Sequence, residues 1–147
     1  MDNKDIAKTL NKLLELLHDS HDGYIESAKN VKDSRLQAIF NRLANTRNNM
    51  IRALEVQLHQ LGEDPITTGS TLAAAHRLFV DLKGLVTGGD PETIITEIKR
   101  GENYTLEHFR DALKQPLPLA IETLLKEQAN EIEANISRIV LEEAAVS

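Results

Sequence analysis

LGEDP at Leu61–Pro65 and TGGDPE at Thr87–Glu92 bracket a connection of about thirty residues, and its reading decides the fold. Gly62 supplies a left-handed stop for the helix before it, and Pro65 lies shortly beyond. Asp90-Pro91-Glu92 restarts a helix with an N-cap acid, proline at the first helical position and an acid in the first turn. Between them, Thr67-Thr68-Gly69-Ser70 offers capping hydroxyls, and Leu72, Ala75, Phe79, Leu82 and Val86 mark a shorter helix over 70–87, ended by Gly88-Gly89.

Outward from this connection, helical periodicity dominates. Apolar residues recur at Ile6, Leu10, Leu13, Leu17, Tyr24, Ala28 and Val31, predicting a helix over 3–32. Lys32-Asp33-Ser34 makes a short turn whose Asp or Ser can cap a second helix over 34–61, carrying Leu36, Ile39, Phe40, Leu43, Met50, Leu54, Leu58 and Leu61. A third long helix over 91–114 carries Ile94, Ile98, Thr105, Phe109 and Leu113. Gln115-Pro116-Leu117-Pro118 breaks it, and a last helix over 118–144 runs through Ile121, Leu125, Ile132, Ile136 and Ile139. Two tight turns thus pair four long helices, and the crossover can run the height of the bundle, letting the third start at the same end as the first. The expectation is an all-α, ferritin-like four-helix bundle, one domain over 1–147, with a fifth short helix in the crossover.

The bulk composition agrees. The chain has 147 residues, 41% hydrophobic and 27% charged, which is globular, and with 3% aromatics and no Trp its core must be aliphatic. A net charge of −6 without a basic run argues against a nucleic-acid partner. The absence of cysteine excludes disulfides, thiol catalysis and Cys-ligated metals. No stretch approaches the length of a membrane span or a signal peptide, so a cytoplasmic protein is expected.

Function turns on which polar residues face inward. Glu15-Leu-Leu-His18 has the Glu-x-x-His spacing of two-metal bundle proteins, with His21 and Asp22 following. At about 100° per residue, however, Glu15 and Asp22 fall opposite the apolar stripe and His18 on its flank. Glu55 and His59 also project away from their stripe. His21 lies within about 45° of the stripe centre. Arg47 sits almost on the centre line between Leu43 and Met50, and a buried guanidinium requires a carboxylate or several carbonyls. Glu102 fills the gap between Ile98 and Thr105. Gln128 and Asn135 face inward and Glu131 is lateral. The expected result is one buried polar layer of His21, Arg47, Glu102 and Gln128, with Arg47 paired to Glu102. The competing reading is a metal site of iron or manganese on His21, Glu102 and Glu131, against which stands the permanent cation of Arg47. His76, bordering the crossover helix, reads as a packed histidine.

The segments Gly23-Tyr24, Asn30-Val31-Lys32-Asp33, Leu61-Gly-Glu-Asp-Pro65, Gly69-Ser70, His76-Arg77, Leu82-Lys83, Thr87-Gly-Gly-Asp90 and Arg100-Gly-Glu102 resemble a bacterial ferritin-like family of unknown function. The resemblance spans essentially the whole chain and implies the same bundle. Its pattern carries acids where this chain has His21 and Ala53, and a His near Asn135, so these departures remove candidate ligands.

The expected function is non-enzymatic: a bundle acting through protein contacts, as a homodimer or with another protein, in a stress context suggested by family analogy, with no cofactor. Leu14, Leu16 and Ile51 are the expected members of an exposed contact surface. The alternatives are a di-metal oxidase or metal-handling protein, and a small-ligand carrier using a cavity of the bundle interior.

Overall fold

The computed structural model describes residues 1–67, 86 and 88–146, and the helix expected over 70–87, with His76, lies outside the described residues apart from Val86. Four long helices are present: α1 (Asn3–Asn30), α2 (Ser34–Gln60), α3 (Pro91–Ala112) and α4 (Leu119–Val146). Their bounds differ from the sequence expectation by no more than about two residues, the usual slack at helix ends.

The starts of α1, α2 and α3 are each capped by a carboxylate. Asp2 accepts from the Asp5 N–H, Asp33 from the Arg35 and Leu36 N–H groups, and Asp90 from the Thr93 N–H, so free donors of each first turn are satisfied. In the turn before α2 the cap is Asp33, and Ser34 is already helical. Helix α1 stops at Val31, whose extended backbone turns its side chain into the core. Helix α2 closes at Gly62 with φ +73°, where the Gly62 N–H donates to the His59 carbonyl and the Glu63 N–H to the Leu58 carbonyl. This paired closure needs a left-handed residue, which only glycine adopts without steric cost.

Helix α1 packs beside α2 and α3, and α4 beside α2 and α3, so α2 and α3 face each other across the diagonal. Asn3 at the start of α1 donates to the Leu61 carbonyl at the end of α2, and Thr9 donates to Gln115 just past α3. At the opposite end, Val31 and Leu36 share a groove with Pro91 and Ile94. Helix α3 therefore begins where α1 finishes. This corrects the expectation that it starts at the same end as α1: a connection that runs the full height returns the chain to the end where α2 began. Adjacent helices are all antiparallel and the diagonals parallel, the one-crossover ferritin-like arrangement.

The core splits along the bundle axis into two apolar clusters. One gathers Leu10, Leu13, Leu17, Met50, Leu54, Phe109, Leu125 and Ile132, among others. The second gathers Tyr24, Ile39, Phe40, Leu43, Ile94, Ile98 and Ile139. Leu14, Leu16 and Ile51 are buried, not exposed as expected. The tight α1–α2 pair buries a wider arc of each helix than a single stripe, so residues beside the stripe are covered too.

Candidate functional site: a buried ion pair between two apolar clusters

Polar side chains occupy the level between the clusters. Arg47 on α2 and Glu102 on α3 are fully buried, and Arg47 Nη2 donates to Glu102 Oε2 across the diagonal. Arg47 Nε donates to Ser20 Oγ at 3.0 Å, and the Ser20 hydroxyl donates to the Leu17 carbonyl, also at 3.0 Å. Arg47 Nη1 lies 3.6 Å from Met50 Sδ, and its guanidinium carbon is 6.0 Å from the ring centre of Tyr24. The cation is thus enclosed by one carboxylate, one hydroxyl, a thioether and an aromatic face.

The electrostatics follow from burial. Removal from water pushes the Arg47 pKa down, an effect opposed by Tyr24 and by Glu131. The Tyr24 hydroxyl, also fully buried, has its pKa pushed up to about 12 by burial, partly offset by the Arg47 charge. A guanidinium stays charged even so, which is why the enclosed carboxylate is needed.

The sequence-derived layer residues are placed unevenly. Arg47 and Glu102 meet as a pair at the bundle centre. Gln128 is buried, but its Nε2 donates 3.1 Å to the Met50 carbonyl among residues of the first cluster, toward the end of the bundle that holds the α3–α4 turn. On α4 the boundary between clusters falls between Ile132 and Ile139, where half-buried Asn135 stands. His21 is not in the layer. It is half-buried on the α1–α2 flank, with Nδ1 3.2 Å from Asp22 and a surface hollow shared with Asn41, Asn45 and Asn48. Ser20 takes the inward position instead. Both 20 and 21 fit the spacing between Leu17 and Tyr24, and a buried serine adds nothing to an apolar pattern. Only the need of an inward arginine for partners pointed to it.

Of the remaining acids and histidines, Glu131, Asp22 and His59 are exposed, whereas Glu15, His18 and Glu55 are half-buried. A two-metal centre would draw several carboxylates and histidines together from facing helices. The donor set does not fit one: Glu102 is bound to a guanidinium, His21 lies outside the layer and Glu131 faces away from it. Among the described residues, no three His, Asp or Glu side chains gather closely enough to share an ion. A cleft of about 410 Å³ lies near one end of the bundle between the start of α1 and the end of α3, lined by Lys8, Lys12, Leu13, His108 and Asp111. It opens at the surface and does not follow the bundle axis.

Residues 5–115 match the family described as Domain of unknown function (DUF2383). The chain belongs to this family. No curated protein matches it. Among solved structures, a mutant of Dps1 from Mycobacterium smegmatis is similar, with a TM-score of 0.75 over 96% of each chain at 17% identity. At that identity the likeness speaks for the fold alone, and this DUF2383 protein is a ferritin-like four-helix bundle. Among its described residues no helix is long and apolar enough to cross a membrane.

Proposed function

We propose that this DUF2383 protein is a non-catalytic ferritin-like bundle that acts through protein contacts, with a second copy of itself as partner. The observation that carries this reading is the closed Arg47–Glu102 pair, which occupies the middle of the bundle with a permanent cation. A cation there repels a metal, and the inward carboxylate is already engaged. The exposed apolar side chains Val140 and Leu141 on α4 support a role for the surface over the interior.

Titration of the purified protein with Fe²⁺ or Mn²⁺, following bound metal and oxygen consumption, tests this reading. It expects less than about 0.1 equivalent of metal, since one inward carboxylate facing an arginine is a poor hard-ion site. Stoichiometric loading with oxygen consumption would replace it with a metal-dependent oxidase.

A further inference from the structure

Helix α4 leaves an outer face that the bundle does not use. Leu119, Thr123, Asn130, Ser137 and Leu141 are all exposed, and at about 100° per residue they fall within about 20° of one line along the helix. Leu119 and Leu141 are 78% and 75% exposed, so the two ends of this line each present a bare leucine. Lys126 stands about 40° and Glu127 and Glu133 about 60° to the side of this line, so charge borders it.

The spacing along the line is symmetric, and in either direction it runs leucine, hydroxyl, amide, hydroxyl, leucine. Asn130 stands midway between Leu119 and Leu141, and also midway between Thr123 and Ser137. A two-fold axis at Asn130, perpendicular to α4, sets Leu119 against Leu141 of a second copy, Thr123 against its Ser137 and Asn130 against its own counterpart. Such self-matching is what a two-fold interface requires. An amide is both donor and acceptor, so two asparagines on the axis satisfy each other. On one flank of the line the same axis brings Lys126 opposite the second copy's Glu133, and the symmetry supplies that pair twice. In the isolated chain these two residues hold exposed partners, Glu122 and Arg110, which cost little to exchange.

We infer that the outer face of α4 is a homodimer interface, in which two copies pack α4 against α4 antiparallel about a two-fold axis at Asn130. The inference rests on the contact-mediated reading above and names the surface and the partner it uses.

Sedimentation of the native chain and of Leu141→Glu tests it. The native protein is expected at twice its chain mass of 16.4 kDa, and Leu141→Glu at the monomer mass with unchanged helical circular dichroism. Val56→Glu alters an exposed apolar residue on α2, away from this face, and is expected to stay dimeric. Because the chain has no cysteine, Asn130→Cys places a single thiol on the axis. Mild oxidation should link it to its own counterpart, whereas Glu107→Cys on α3 should stay unlinked. A native dimer that survives Leu141→Glu and is not linked through Asn130→Cys overturns the α4 interface while leaving contact-mediated function standing. A native chain that remains monomeric at high concentration overturns both.

Discussion

Arg47 and Glu102 join α2 to α3 across the diagonal of the bundle, linking two helices that do not pack side by side. Both are fully buried, so each removes from the other the cost of an unpaired interior charge. The double-mutant cycle of Arg47→Met and Glu102→Leu should be strongly non-additive. Either single change strands a buried charge and should cost about 3–5 kcal/mol, whereas the double variant replaces both with apolar groups and should recover much of that loss. Urea unfolding measures it, and additive costs would mean that the pair is not coupled.

Ser20 is the second partner of the guanidinium. Its replacement by alanine leaves the buried Arg47 Nε without an acceptor, at an expected cost of about 1–3 kcal/mol. Ser20→Thr keeps the hydroxyl and separates that loss from repacking. His21→Ala, at the adjoining half-buried position, should change stability by less than about 1 kcal/mol. An equal loss at both positions would deny Ser20 its special role.

Tyr24 gives the middle of the bundle an alkaline signature. Burial raises its folded pKa to about 12 from an ordinary value of 10.0, so the folded protein holds this proton more tightly than the unfolded chain. Its contribution is fully present below pH 10.0 and is lost as pH rises through about 12. Of the chain's two tyrosines, absorbance near 295 nm should show one ionising only toward the upper end of that range. Tyr24→Phe should flatten the fall in stability over the same interval.

Asp33 caps α2 at the end of the bundle where α3 begins. Hydrogen bonds from the Arg35 side chain and backbone, and from the Leu36 N–H, hold its carboxyl below the ordinary value of 3.8. Stability from this cap is present above pH 3.8 and falls away as acid protonates the folded carboxylate. Asp33→Ala should cost about 0.5–2 kcal/mol, as for other lost N-caps, and should remove this acid dependence. Asp33→Asn, which keeps an acceptor oxygen, should cost less.

The helices were legible in the sequence because their signals are local. Asp90-Pro91 and Gly62 act within one turn of themselves, and an apolar period of 3.6 needs no knowledge of neighbours. Arg47 and Glu102 could be placed inward because each interrupts an apolar stripe at its centre, and a large charge in such a gap is conspicuous. Ser20 was invisible by the same rule, being small enough to be buried without signalling it. His21 drew attention through its chemistry, yet the angle separating 20 from 21 is resolved only when α2 covers α1. The burial of Leu14, Leu16 and Ile51 is hidden from the sequence for a related reason: how wide an arc a helix buries depends on how closely its neighbours approach.

The sequence by itself determined where helices start and stop, that four long ones alternate with two tight turns and one long connection, and that an arginine and a glutamate must share the interior. Those are consequences of hydrogen-bonding termini, of periodicity and of the cost of burying charge, all readable along one strand of text. Tertiary structure alone decided the direction in which α3 runs, which residue of the pair Ser20 and His21 reaches the guanidinium, and that Gln128 bonds the carbonyl of Met50, whose sulfur touches Arg47. Each of these depends on the axial register between helices distant in sequence, and register is set by side chains meeting across the core, which no local pattern encodes.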